Sequence, residues 1–433
     1  MKPIPAIAGA LLALAFCEPS LAAQPRPAAA DNLPVWLQAA DSGDFGPLRR
    51  ALTRVRSPAE RTLIKARIAA GRGLAIHRRA DLLRLTWATN AAHRRAALDM
   101  VGSSAFAHGD YSAAATSTRA LAALLRGGGG DAASVERTLE VAELLRGQPP
   151  QQVDGAPAPR FLPLRSDEVG LPRITIVVNG RDEEAVVDTG ANLTVLSAET
   201  ARRLGVTALE TEARVGNSVQ GTVAVRVGVA DRLAIAGIVV RNVPVLVIAD
   251  SELTFPQAGG YRITSIIGLP VLRALGRIRM DADSFAIETP QPFDAARQNL
   301  FANNNDFYLA ARVGGHDVPL FLDTGANQTA LGAGFAEAHP HIVRSLVTGD
   351  RRSGGAGGQQ ILRAARWTNQ MFTAAGRSVL LQAISIELPA AGARSRHMGV
   401  IGADTLRRFE SHTIDFSAMR LELGAPRPSP AAG

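Results

Sequence analysis

Two hydrophobic rhythms divide the chain. Over residues 33–146 apolar positions recur at helical spacing among helix formers. This predicts helices at Leu33 to Ala40, Phe45 to Val55, Ala59 to Ala70, Leu74 to Arg95, Ala97 to His108, Tyr111 to Leu125 and Ala132 to Leu145. Glycines and Ser57-Pro58 separate several of them. Past residue 160 the chain is rich in short branched runs bounded by turn signals. Arg173 to Val178 reads as a strand, Asn179-Gly180 as a tight hairpin turn, and a return strand follows. Phe307 to Val313, Gly314-Gly315 and Val318 to Leu322 repeat that plan. Ser197 to Leu204 predicts a short helix after the first hairpin, and Gly334 to Ala338 a fainter one after the second. Residues 147–160, with Gln148-Pro149-Pro150 and Ala156-Pro157-Ala158-Pro159, predict an extended, exposed linker. The expected fold class is a multidomain α plus all-β chain. It has a helical domain over 31–146, β lobes over 161–292 and 300–424, and a disordered Pro/Ala tail over 425–433.

Each hairpin delivers the same short sequence. Ala185-Val186-Val187 runs into Asp188-Thr189-Gly190-Ala191, and Leu320-Phe321-Leu322 into Asp323-Thr324-Gly325-Ala326. A strand ending in a glycine-permitted turn exposes a carboxylate at the strand end. Asn192-Leu193-Thr194 and Asn327-Gln328-Thr329 follow. Farther on, Ile266-Ile267-Gly268 and Val400-Ile401-Gly402 match, as do Leu272-Arg273 with Leu406-Arg407, Asp281 with Asp415, and Ile287-Glu288 with Leu421-Glu422. A repeat this long is a duplicated half-domain, since solenoid units have periods of roughly 20–50 residues.

The paired Asp-Thr-Gly-Ala turns, each followed by two aliphatic residues and a glycine, resemble the retropepsin-like aspartic proteases. The resemblance covers roughly residues 161–424 and leaves out the N-terminal third. It implies a two-lobed β domain with a pseudo-two-fold axis, and Asp188 and Asp323 as a catalytic pair. Thr189 and Thr324 would brace the two loops across the lobe interface. Gly190 and Gly325 would let backbone pass close to the carboxylates, and Gly268 and Gly402 would be core glycines of the lobes. Val215 to Val229 and Gly357 to Arg366 would be flaps closing over an extended peptide. Ala191 and Ala326 match the retroviral-type pattern, which accompanies activity at less acidic pH. Two carboxylates brought together cannot both ionise, so they share one proton and can act as general acid and base on a held water. The function so implied is an aspartic endopeptidase that needs neither metal nor cofactor. The alternative is an inert peptide-binding or adaptor protein that uses the helical domain. Ala107-His108-Gly109-Asp110-Tyr111 resembles the turn of a tetratricopeptide-like helical hairpin, without a clean repeat. A further reading is a zymogen in which the helical domain masks the cleft.

Residues 1–22 read as a secretory signal peptide. Lys2 precedes an apolar run from Ile4 to Phe16, and Ser20-Leu21-Ala22 is a small-x-small cleavage site. The expected location is a bacterial periplasm, or the medium, without an integral membrane anchor. Cys17 is the only cysteine, so cleavage after Ala22 would exclude disulfides and thiol chemistry from the mature protein. The net charge is +8. Only Lys2 and Lys65 are lysines, and an exported Arg-rich chain is not expected to bind nucleic acid. Residues 31–100 hold thirteen Arg and Lys against six Asp and Glu, a basic segment that would meet an acidic protein partner or an anionic envelope surface, or stay a solvated face. The substrate would be a protein or peptide, and one copy of the chain would suffice for catalysis. Other chemistries fare worse. Gly216 to Gly221 has one residue too many for a nucleophile elbow. His316 with His339-Pro340-His341 lacks the acidic context of a metal site.

Overall fold

Capping side chains set three of the breaks in the helical region. The helices are α1 (Val35–Asp41), α2 (Gly46–Leu52), α3 (Pro58–Gly71), α4 (Ala80–Leu85), α5 (Ala91–Ala107), α6 (Tyr111–Gly127) and α7 (Ala133–Leu145). The computed structural model describes residues 35–155, 159–216, 221–255, 260–303, 305–355, 358–389 and 397–428. The expected signal peptide lies outside the described residues. The helix expected over Leu74 to Arg95 is divided. Asn90 is extended and accepts the His93 amide (3.0 Å), so α5 starts afresh and runs unbroken past Arg95. Gly109 (φ 75°) then turns the chain, and Asp110 caps α6 by accepting the Ala113 amide (3.1 Å). Ser57, ahead of Pro58, caps α3 in the same way.

The β region forms two closed sheets. The strands of the first are β1 (Pro172–Val178), β2 (Arg181–Val187), β3 (Thr194–Ser197), β4 (Ala208–Gly216), β5 (Thr222–Ile235), β6 (Ile238–Ile248) and β7 (Ser265–Ile267). Their order is β6-β3-β7-β2-β1-β5-β4, and β5 also pairs with β6, which closes a ring. The second sheet holds β8 (Leu300–Asn303), β9 (Asp306–Val313), β10 (His316–Leu322), β11 (Ala330–Leu331), β12 (Val347–Gly355), β13 (Gly358–Ala374), β14 (Arg377–Glu387) and β15 (Gly399–Ile401). Its order is β8-β9-β10-β15-β11-β14-β13-β12, closed by β9 on β13. Parallel pairs recur at like places: β2 beside β7 (Val187↔Ile267) and β10 beside β15 (Leu322↔Ile401). The turns Asn179-Gly180 (φ 49° and 82°) and Gly314-Gly315 (φ 57° and 85°) supply the left-handed pair that two-residue hairpins require. Side chains inside both rings, among them Val187, Ile267, Leu322 and Ile401, join one apolar cluster. Each such fully buried aliphatic side chain contributes about 1.5–3 kcal/mol.

A third sheet ties the lobes together. Its strands run in the order Arg160–Pro163, Ser284–Ile287, Arg277–Met280, His412–Asp415 and Arg420–Leu423. At its centre a strand of the first lobe pairs antiparallel with one of the second, Arg277↔Asp415. Arg277 pairs with Glu288 (2.8 Å), Asp415 (3.1 Å) and Glu422 (2.8 Å). Two segments differ from expectation. Within the linker, Gln152–Val153 forms an edge strand on β6, and Asp154 pairs with Arg241, because β6 leaves backbone groups open there. Residues 425–428, expected as tail, are tied down: the Glu410 amide donates to Ala425 O (2.8 Å) and the Arg427 guanidinium to Phe409 O (3.0 Å). The rest of the tail lies outside the described residues.

His412 makes this third sheet acid-sensitive. Burial pushes its imidazole down from 6.5 to about 4. The unfolded chain takes up a proton near 6.5 and the folded chain only near 4, so stability falls as pH drops through that window. The full penalty is about 3 kcal/mol. His412→Leu should remove most of this slope in melting temperature between pH 6.5 and 4. An unchanged slope in thermal melts would refute the assignment.

Candidate active site

The two Asp-Thr-Gly-Ala turns meet. Each Asp still belongs to its strand ladder, Asp188 N donating to Ile267 O and Asp323 N to Ile401 O (both 3.1 Å). Each then folds its carboxylate back over its own turn. Asp188 Oδ1 accepts the amides of Gly190 (2.7 Å) and Ala191 (3.2 Å). Asp323 Oδ1 accepts those of Gly325 and Ala326 (both 2.9 Å). An ordinary Asx turn would stop there.

The threonines do more. Thr189 N donates to Thr324 Oγ1 (3.0 Å), and Thr324 N donates to Thr189 Oγ1 (3.1 Å). Each hydroxyl then donates into the opposite lobe, Thr189 to Leu322 O and Thr324 to Val187 O (both 2.7 Å). Four bonds thus lock two loops that stand 135 residues apart in sequence. The glycines make the approach possible. A Cβ on Gly190 would sit 2.6 Å from Asp323 Cγ, and one on Gly325 would sit 2.2 Å from Asp188 Cγ.

Gly268 and Gly402 hold these turns from behind. A Cβ on Gly268 would lie 2.4 Å from the Leu193 carbonyl carbon, and one on Gly402 2.7 Å from Ala326 O. Their amides donate to Thr194 Oγ1 (3.3 Å) and Thr329 Oγ1 (3.0 Å). The amides that follow, Leu269 and Ala403, donate to Ala191 O and Ala326 O (both 2.8 Å). These supporting threonines were visible as the Asn-x-Thr that follows each turn, but the sequence assigned them no role. Asp404 escaped notice altogether. It accepts both the amide (2.8 Å) and the hydroxyl (2.7 Å) of Thr329, and burial raises its carboxyl above the usual range.

Asp188 is 1% exposed and Asp323 0%. The Asp188 carboxyl is held well above the usual carboxylate range, first by burial and then by the charge of Asp323. The Gly190 amide opposes this and does not win. The arrangement can therefore hold one proton between two carboxyl groups where isolated ones would be bare.

Beside the second turn a groove of ≈ 730 Å³ is lined by Asn327, Gln328, Thr329, Arg351, Asp404 and Arg407, among others. The segments expected as flaps fall on the hairpins β4/β5 and β12/β13; the turn residues 217–220 and 356–357 lie outside the described residues. The His316, His339 and His341 rings gather, with centroids 4.5–6.4 Å apart. No group of three or more His, Cys, Asp or Glu among the described residues could hold a metal.

A raised carboxyl costs stability as pH rises. The folded chain keeps on Asp188 a proton that the unfolded chain releases near 3.8, so stability falls from there toward the folded value. Asp188→Asn should therefore melt higher than the parent at neutral pH, by about 1 °C for each kcal/mol of repulsion relieved in a chain of this length. The difference should shrink below the ordinary carboxylate range. A variant that melts lower at pH 7 would contradict the burial argument.

Residues 174–271 match the model of a family described as aspartyl protease. The matched stretch contains Asp188 and Gly268 and ends before Asp323. Nothing among curated proteins matches the chain. Over those residues the first β lobe is thus similar in sequence to an aspartyl protease domain.

Proposed function

We propose that this chain is an exported aspartic endopeptidase of the retropepsin-like type, with both halves of its site in one polypeptide. The observation that carries the reading is the reciprocal Thr189–Thr324 bonding, which sets Asp188 against Asp323. The shared ring order of the two β sheets supports an internal pseudo-two-fold repeat, with one aspartate from each copy. One copy of the chain is then enough for catalysis.

In the proposed reaction a water lies between the carboxyl groups. The ionised carboxylate takes its proton while the oxygen bonds to the scissile carbonyl carbon, and the protonated carboxyl gives its proton to the carbonyl oxygen. Collapse of the tetrahedral diol breaks the C–N bond, and a proton passes to the leaving nitrogen. The pair titrates as a unit, so neither residue is permanently acid or base. The substrate is a protein or peptide held extended.

Asp188→Asn and Asp323→Asn should each lower cleavage of an unfolded polypeptide by at least ~10³-fold, within the range for loss of general acid–base catalysis. Mass spectrometry of the products reads this directly, and either variant matching a parent that cleaves would sink the reading.

Export rests on the sequence alone. The apolar run from Ile4 to Phe16 and Ser20-Leu21-Ala22 support cleavage after Ala22 and delivery to a periplasm or the medium. No helix among the described residues is long and apolar enough to cross a membrane. Protein recovered from outside the cytoplasm should begin at Ala23 by N-terminal sequencing. A mature chain that still begins at Met1 would refute export by this route.

A further inference from the structure

Each β lobe has a sheet face that carries its aspartate, and register identifies it. In the first lobe Val186 pairs with Ile266, Ile266 with Val195, Val195 with Leu246, and Leu246 with Val227. These form one row on one face, because side chains alternate along a strand. Val187, Ile267 and Leu196, one residue along, point into the lobe's own core. Asp188 is two residues beyond Val186 and shares its side. In the second lobe the row is Phe301, Tyr308, Phe321, Val400 and Ala330, and Asp323 shares the side of Phe321. A peptide that touches both carboxyl groups must lie along these two rows.

Both rows are already covered by the helical region. Val186, Ala191, Leu193, Val195 and Ile266 belong to one buried cluster with Phe106 and Tyr111 of the α5–α6 hairpin and with Val141 and Leu145 of α7. The same cluster takes in Ala213 and Val215 of β4, and the Arg214 amide donates to Glu140 Oε2 of α7 (2.9 Å). The first flap hairpin thus rests on a helix. Over the second lobe, Phe45 stacks on Phe301 with centroids 5.0 Å apart. The turn between α1 and α2 lies so close to Tyr308 that a Cβ on Gly43 would stand 2.4 Å from the Tyr308 Cβ. Buried Arg67 donates to Ala302 O (3.1 Å) and Asn303 Oδ1 (2.8 Å), and Asn303 Nδ2 donates to Asp41 O (2.8 Å).

We infer that helices α1–α7 are an intramolecular cap seated on the substrate face, and that the chain is latent until they are displaced. This rests on the aspartic peptidase reading and adds its regulation. The two aspartates are at most 1% exposed in this closed form, while the groove beside Asn327 stays open. Exposed Gly155 follows the edge strand Gln152–Val153, so a cut there separates the cap from the β lobes along the chain.

The test uses the full-length protein and an epoxide that esterifies accessible ionised carboxylates, with labelled Asp188 and Asp323 mapped by mass spectrometry. Two opened forms are compared with the intact chain: Phe106→Arg, and a chain cut at a protease site inserted after Gly155, with the helical fragment separated off. Labelling and peptide cleavage should both rise by at least ~10-fold on opening, because a dominant closed state leaves a small competent fraction. Equal labelling in intact and opened forms overturns the cap, as does an intact chain that cleaves as fast as the opened ones. Faster labelling without any cleavage upholds the cap and refutes the peptidase reading instead.

Discussion

The structure depends on holding two carboxyl groups together where neither can be solvated. Two unit charges about 4 Å apart repel by about 4 kcal/mol at an effective dielectric of 20. The four Thr189 and Thr324 bonds oppose that repulsion. Because each hydroxyl donates to backbone of the other lobe, neither loop can retreat without leaving a buried carbonyl unpaired. The raised Asp188 carboxyl is the other half of the solution, since a proton retained on the pair removes one charge.

That contact needs a rigid frame. The third sheet supplies it by pairing Arg277–Met280 of one lobe with His412–Asp415 of the other. Arg277, with three carboxylate partners across both lobes, would be costly if any of them left, so the network resists hinge motion at the base. Gly268 and Gly402 extend the frame upward, bringing the turns against the segments that follow them.

The helical region changes meaning once its contacts are known. Its excess of arginine looked like a surface for an acidic partner. Several of those side chains instead face this chain's own β lobes: Arg67 is buried against Ala302 and Asn303, Arg49 lies over the Phe301 ring at 5.2 Å, and Arg72 over Phe293 at 4.0 Å. Guanidinium groups suit that place, combining fixed donors with a flat face that stacks on aromatic rings.

Much of this was legible in the sequence, because local chemistry wrote it. Helical spacing marked the N-terminal helices, and Asn179-Gly180 and Gly314-Gly315 marked two hairpins, since left-handed pairs need such residues. Ala236-Gly237 and Ala375-Gly376 turn the chain in the same way (φ 51° and 81°, 50° and 74°) but escaped notice, since alanine is no turn signal. The break before α5 was missed because one Asn cap outweighed an apolar pattern that ran straight through it. Asp188 and Asp323 were readable as equivalent turns by repetition. Their meeting was implied only by the family resemblance, because bonds between distant loops leave no mark on either loop alone. Nor could any spacing say what covers Val186 and Phe321, since a strand's alternation names two faces without naming their neighbours. Composition and pattern determined the elements and the chemistry they carry, while only packing in three dimensions decided which faces touch.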